Sequence, residues 1–157
     1  MKEKTVKTNA LRLLEGGKIP FESHTYENAV NGVEVADILG QPHEMVFKTL
    51  VTVGKSGEHY VFVVPVAEEL DLKKAATVVG EKSIDMIKSK ELLGLTGYIH
   101  GGCSPVGMKK LFRTTIHQTA KALEHMYVSG GRIGLQIEIA PSDLRRAVPF
   151  EYADIIK

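Results

Sequence analysis

The run Tyr60-Val61-Phe62-Val63-Val64 constrains the fold most strongly. A strand that is apolar at every position has no side to show to water, so it must be central in a sheet covered on both faces. A second candidate strand, 46–53, precedes it across Gly54-Lys55-Ser56-Gly57, a connection suited to a hairpin. The buried strand therefore has an antiparallel neighbour.

Helical periodicity frames this pair. Val6, Ala10, Leu11, Leu13 and Leu14 mark an amphipathic helix that stops at Gly16-Gly17, and a strand is expected over 19–26. Val33, Val35, Ala36, Ile38 and Leu39 predict a second helix closed by Gly40 and Pro42. Further helices are expected over 72–79, near 86–93 and, as a short piece, over 120–125. A short strand is expected over 115–117. Leu135-Gln136-Ile137-Glu138-Ile139 alternates like a half-buried strand, and Pro141-Ser142-Asp143-Leu144 resembles a helix start capped by Ser142 or Asp143. The 157 residues contain no linker, repeat or low-complexity tract, so one domain over 1–157 is expected, of mixed-sheet α+β class.

Charge narrows the partners. The net charge of +1 excludes nucleic-acid binding by bulk charge alone. Residues 1–70 carry 7 basic and 10 acidic side chains, whereas residues 71–113 carry 8 and 4. The positive charge thus collects in one segment, either as a phosphate-facing patch or as solvated helix faces. A single cysteine excludes an internal disulfide, no run is long enough to span a membrane, and 1–5 lacks the apolar core of a secretory signal. A cytoplasmic protein without membrane association is expected.

Two glycine-rich turns stand out, 96–107 and 129–134. Glycine lets main-chain N–H groups approach a ligand without a Cβ in the way. Several familiar motifs fail on spacing. Ser104 is followed by Pro105, which is incompatible with a nucleophile elbow, and Cys103 has only His100 as a local base, so a packing role fits Cys103 better. Gly102 to Lys109 misses the phosphate-binding P-loop by one position, and Lys110 stands where Ser or Thr is required. The second turn leads into a strand, unlike a dinucleotide fingerprint. Six histidines at 24, 43, 59, 100, 117 and 125 show no metal-ligand spacing, so neither metal nor cofactor is expected. Lys48 interrupts the apolar strand 46–51 on the face shared by Val46 and Leu50, with Thr49 opposite. It is either an ammonium serving a polar site or a guard against strand-on-strand pairing at an edge. The remaining inventory suits holding a polar ligand and polarising a carbonyl.

Five segments in order, His24-Thr25-Tyr26-Glu27, Val46-Phe47-Lys48-Thr49-Leu50, 70–76, 96–107 and 127–131, resemble the YbaK/EbsC family, relatives of the editing domain of bacterial prolyl-tRNA synthetases. The resemblance covers about 11–155. It implies a curved, barrel-like mixed sheet flanked by helices, and hydrolysis of mischarged aminoacyl-tRNA, most typically cysteinyl-tRNA(Pro). The implied catalytic set is Lys48, Gly101, Gly102 and Ser129, with Tyr26, Thr49, Ser104, Gly130, Gly131 and Gln136 as substrate-binding residues. Lys73, Lys74, Lys109, Lys110 and Arg113 are the expected contacts to tRNA phosphates, and prolyl-tRNA synthetase is an expected partner. Gln136 replaces an aspartate of some members, and the segment between Tyr26 and Val35 is shorter and lacks a phenylalanine of the cysteine-specific ones. Alanine on tRNA(Pro) is the competing substrate, and a non-catalytic nucleotide- or metabolite-binding module the competing function.

Overall fold

The computed structural model describes residues 7–27, 29 and 31–157. Its centre is the hairpin of β2 (Phe47–Gly54) and β3 (His59–Pro65), which pair antiparallel from Phe47↔Pro65 to Val53↔His59. Val61, Phe62, Val63 and Val64 are fully buried. Burying a side chain of this size contributes about 1.5–3 kcal/mol, so this strand anchors the fold. Its two faces serve different cores. Val61 and Val63 join the main core with Phe47, Val51, Ile116 and Ile137, while Phe62 and Val64 pack with Ala75, Ala76 and Val79 of α3 (Leu72–Val79).

Beside α3 lie α1 (Asn9–Gly16), α2 (Gly32–Leu39), α4 (Ser89–Thr96) and α5 (Pro141–Ala147). The remaining strands are β1 (Glu22–Thr25), β4 (Ile84–Met86), β5 (Arg113–His117), β6 (Met126–Ser129), β7 (Leu135–Ile139) and β8 (Glu151–Ala153). They form two sheets, one ordered β4-β2-β3-β5-β8 and the other β1-β7-β6. The β3–β5 and β5–β8 ladders are parallel and the other ladders antiparallel, so the mixed α+β class expected from the sequence holds. The barrel does not. No closed barrel forms among the described residues, because the two sheets share only the parallel bridge Val46↔Tyr127.

Local signals explain the helices. Thr8, Asn31 and Asp71 each cap a helix by accepting from backbone N–H groups, and Gly40 and Gly80 end α2 and α3 in the left-handed conformation. Val6, expected on the first helix, and the segment 1–5 lie outside the described residues. At α5 the expected cap is corrected. Ala140 is the N-cap and makes no side-chain bond, because Pro141 occupies the first turn and supplies a fixed φ instead. The helix expected near 86–93 starts at Ser89, since 84–86 is drawn into β4 beside β2. The piece expected at 120–125 is a 3₁₀ turn over Gln118–Ala122. No helix among the described residues is long and apolar enough to cross a membrane.

One polar cluster ties the smaller sheet together. Glu138 on β7 accepts from His24 Nε2 of β1 at 2.8 Å and bonds His125 Nδ1, next to β6, at 2.9 Å. These bonds, with one from Tyr127, hold the Glu138 carboxyl below its ordinary range, the His24 bond contributing most, although burial opposes them. A depressed carboxylate stabilises the fold above its ordinary pKa of 4.5, and that contribution disappears as pH falls through the lower folded value. Glu138→Gln should therefore remove part of the acid-induced drop in melting temperature, read from melts between neutral pH and the acid limb; an unaltered profile would refute this origin. Asp71→Ala should cost about 1 kcal/mol and Asp71→Asn clearly less, read from urea midpoints. Equal losses would show that the α3 cap is not the cause.

Candidate functional site

The two glycine turns lie back to back. The first leaves α4 through Gly97, in the left-handed conformation, and is braced from inside. Tyr98 Oη donates to the Val106 carbonyl at 2.6 Å, and the Ser104 hydroxyl accepts from Val106 N–H at 3.1 Å. A Cβ on Gly102 would stand 2.8 Å from the Arg132 Cα in the second turn, so only glycine permits this approach. The second turn joins β6 to β7 and is clamped from several sides. Thr8 Oγ1 donates to the Gly130 carbonyl at 2.6 Å, Gly130 N–H donates to Leu135, and Tyr26 N–H donates to the Gly134 carbonyl at 3.0 Å. Gly131 has a φ of 104°, and a Cβ there would press on the Tyr98 ring at 2.9 Å.

Lys48 reaches this assembly through strand register. Val46 and Tyr127 are paired in parallel, and Lys48 and Ser129 each lie two residues further on, hence on the same face. Ser129 is opposite Gln136 on β7, and Gln136 is opposite His24 on β1. Lys48, Ser129, Gln136 and His24 thus mark successive strands across one surface. Thr49 faces the other way, with Phe47 and Val51, as the alternation predicts. Both sequence readings of Lys48 have a counterpart. β2 is an inner strand of its sheet, yet between the bridge at Val46 and the β4 ladder that begins at Thr52 its outer edge pairs with no described strand. Lys48 is half-buried and has no carboxylate within ion-pair distance among the described residues.

Three buried polar atoms lack a partner among the described residues, and two of them, on Gln136 and Arg132, lie in the same region as Lys48 and the turns. Thr49 Oγ1, Arg132 Nε and Gln136 Oε1 are buried without a partner. Native interiors leave few polar atoms in that state, so such groups point to a missing ligand or water. Of the glycine N–H groups, Gly102 donates to Ile99, Gly130 to Leu135 and Gly131 to Ser129 Oγ, whereas Gly101 N–H has no acceptor among the described residues. Gly101 itself is exposed.

Other residues of the sequence reading fall elsewhere. Ser104 is fully buried, and its hydroxyl braces the first turn. Cys103 is buried too, and burial pushes its thiol up to about 12, so no thiolate forms near neutral pH and the packing role fits. Lys74 is paired with Asp154 at 3.0 Å and donates to the Ile156 carbonyl. Arg113 meets Glu151 at 2.8 Å and the Val78 and Val79 carbonyls at the end of α3. Lys73, Lys109 and Lys110 are exposed, with the Lys109 stem against Gly97. Concavities of about 300 and 430 Å³ lie near Phe150 and Tyr152, and neither includes Lys48 or a glycine turn. Glu138 and Arg132 were not singled out from the sequence. Glu138 was visible only as one polar position in an alternating strand, and Arg132 only as the single charge inside a glycine turn.

The aminoacyl-tRNA editing domain family matches residues 27–147. A protein of Enterococcus faecalis (strain ATCC 700802 / V583), named as a candidate Cys-tRNA(Pro)/Cys-tRNA(Cys) deacylase, EbsC, is 42% identical over 152 residues, covering 95% of this chain and 93% of that one. Among solved structures, a hypothetical protein, APE2540, superposes with a TM-score of 0.86 at 21% identity, covering 95% of this chain and 99% of that chain. A candidate trans-editing enzyme for prolyl-tRNA synthetase does so with 0.85 at 24% identity, over 98% and 99%. At these identities the solved structures establish the fold, and the family match and the Enterococcus relative establish the lineage: the chain belongs to the aminoacyl-tRNA editing domain family.

Proposed function

We propose that the protein is a trans-editing deacylase that hydrolyses the ester of mischarged tRNA(Pro), with cysteinyl-tRNA(Pro) as the main substrate. The observation that carries this reading is the alignment of Lys48 with Ser129 and Gln136 beside the two packed glycine turns. The set has no activated nucleophile. Cys103 is buried with a raised thiol pKa, and Ser104 is sealed inside its turn.

An aminoacyl ester is already activated, so orientation and modest polarisation suffice. Gly101 N–H and the Lys48 ammonium are the donors left for the carbonyl oxygen as it gains charge. Ser129 orients the ester or a water, with Gln136 supporting the pocket. A cysteinyl ester brings its own nucleophile. Its sulfur attacks the neighbouring carbonyl, the bond to the ribose oxygen breaks, and the thiol proton passes to that oxygen; water then opens the thiolactone. Such a reaction asks the protein for shape and charge rather than for a base. Editing is needed because an apolar synthetase pocket separates amino acids of similar size by only about 1–3 kcal/mol. The reading places the protein in the cytoplasm, with prolyl-tRNA synthetase as the partner that supplies part of the tRNA specificity.

The test is parallel incubation with cysteinyl-, alanyl- and prolyl-tRNA(Pro), scoring ester loss. Cysteinyl ester should disappear fastest; preferred loss of alanyl ester would move the substrate, and no loss of any ester would favour a binding module. Lys48→Ala should lower turnover about 100-fold or more while shifting stability by less than about 0.5 kcal/mol. Intact activity per folded molecule would remove Lys48 from the chemistry. Replacing Lys109 and Lys110 together by Gln should lower the salt dependence of tRNA binding, since each phosphate contact adds to that slope. An unchanged slope would move the RNA-facing surface elsewhere.

A further inference from the structure

Among the described residues three lysine or arginine side chains are half-buried, Lys48, Lys74 and Arg132, and Arg132 shares with Lys48 the lack of a carboxylate partner. Arg113 and Lys74 have carboxylate partners. Arg132 has none among the described residues; its Nε is buried without a hydrogen bond, and Nη1 reaches only the Ile133 carbonyl, at 3.4 Å. The position is built rather than accidental. The Arg132 backbone is pressed against Gly102, and Nη1 lies 3.9 Å from where a Cβ of Gly134 would be, beside the Tyr26 carbonyl. A guanidinium held half out of water with an idle N–H is open to an acceptor that the described residues do not supply.

We propose that Arg132 is the anchor for a backbone phosphate at the 3′ end of the RNA, resting for its ligand class on the deacylase reading above. The choice of anion follows from the substrate. In an aminoacyl ester the carboxyl group is consumed and the amino group is cationic, so the amino acid offers no anion to an arginine. The nearest negative charge is the phosphodiester that carries the terminal nucleoside, and the planar guanidinium fork matches phosphate oxygens in pairs. Arg132 is three residues from Ser129 on a turn clamped by Thr8, Gly102 and Tyr26. A phosphate caught there fixes the ribose, and therefore the ester, relative to Lys48.

The experiment uses a fluorescent RNA hairpin with a single-stranded CCA end, uncharged, titrated with the whole protein at several salt concentrations. Arg132→Gln should weaken binding about 10- to 100-fold and reduce the salt slope by about 0.7, the value for one single-strand phosphate. Arg146→Gln, which removes a charge paired with Asp143, should change neither quantity. Arg132→Lys, which keeps the charge and loses the fork, should be intermediate, and it decides the matter if the glutamine variant does not fold. Equal binding by wild type and both Arg132 variants, or no RNA binding by wild type, overturns the proposal. Displacement of the RNA by millimolar inorganic phosphate would assign the site to free phosphate and overturn it as well. RNA binding that depends on Arg132 without loss of any ester would sink the deacylase reading and leave the phosphate anchor standing.

Discussion

A single parallel bridge, Val46↔Tyr127, determines where everything else in this protein can act. It is the point where a five-stranded and a three-stranded sheet touch, and it sets β6 alongside the start of β2. Side chains alternate along strands, so pairing Val46 with Tyr127 also decides which face of the smaller sheet meets Lys48. A shift of one residue would turn Lys48 away from Ser129 and bring Thr49 to that face instead. Val46 is 1% exposed and Tyr127 4%, packed with Ala36 and Val66, so the register is held by burial.

The glycine turns depend on this frame and reinforce it. Gly102 and Arg132 approach more closely than any side chain would allow, and Thr8 brings the start of α1 onto Gly130. Both turns are therefore fixed by the main core. Rigid turns beside polar atoms without partners are what a site needs if it stabilises charge with preset dipoles instead of a reactive side chain. Among the described residues the unpaired atoms on Gln136 and Arg132 leave hydrogen-bonding capacity there for a ligand or water.

Distribution of charge follows the same division of labour. Lys74 and Arg113, which the sequence offered as phosphate contacts, spend their charge holding β8 and the end of α3 in place. Lys48 and Arg132 have no carboxylate partner among the described residues. Net charge near neutrality thus conceals a contrast between cations committed to the fold and cations left available, and only the latter can act on an anionic ligand.

Much of the architecture was legible in the chain itself. Capping residues and left-handed glycines determined where α1, α2 and α3 begin and end, and the apolar run determined the central strand, because these signals act within a few residues. Tertiary structure alone decided the rest. β4, β6 and β8 are three or four residues long and exist because neighbouring strands supply their hydrogen bonds. The division of the strands into two sheets joined at Val46↔Tyr127 rests on pairings between residues far apart in sequence. The partners of Lys74, Arg113 and Glu138, and the lack of a carboxylate for Lys48 and Arg132 among the described residues, follow from contacts between residues far apart in sequence, which no local pattern records.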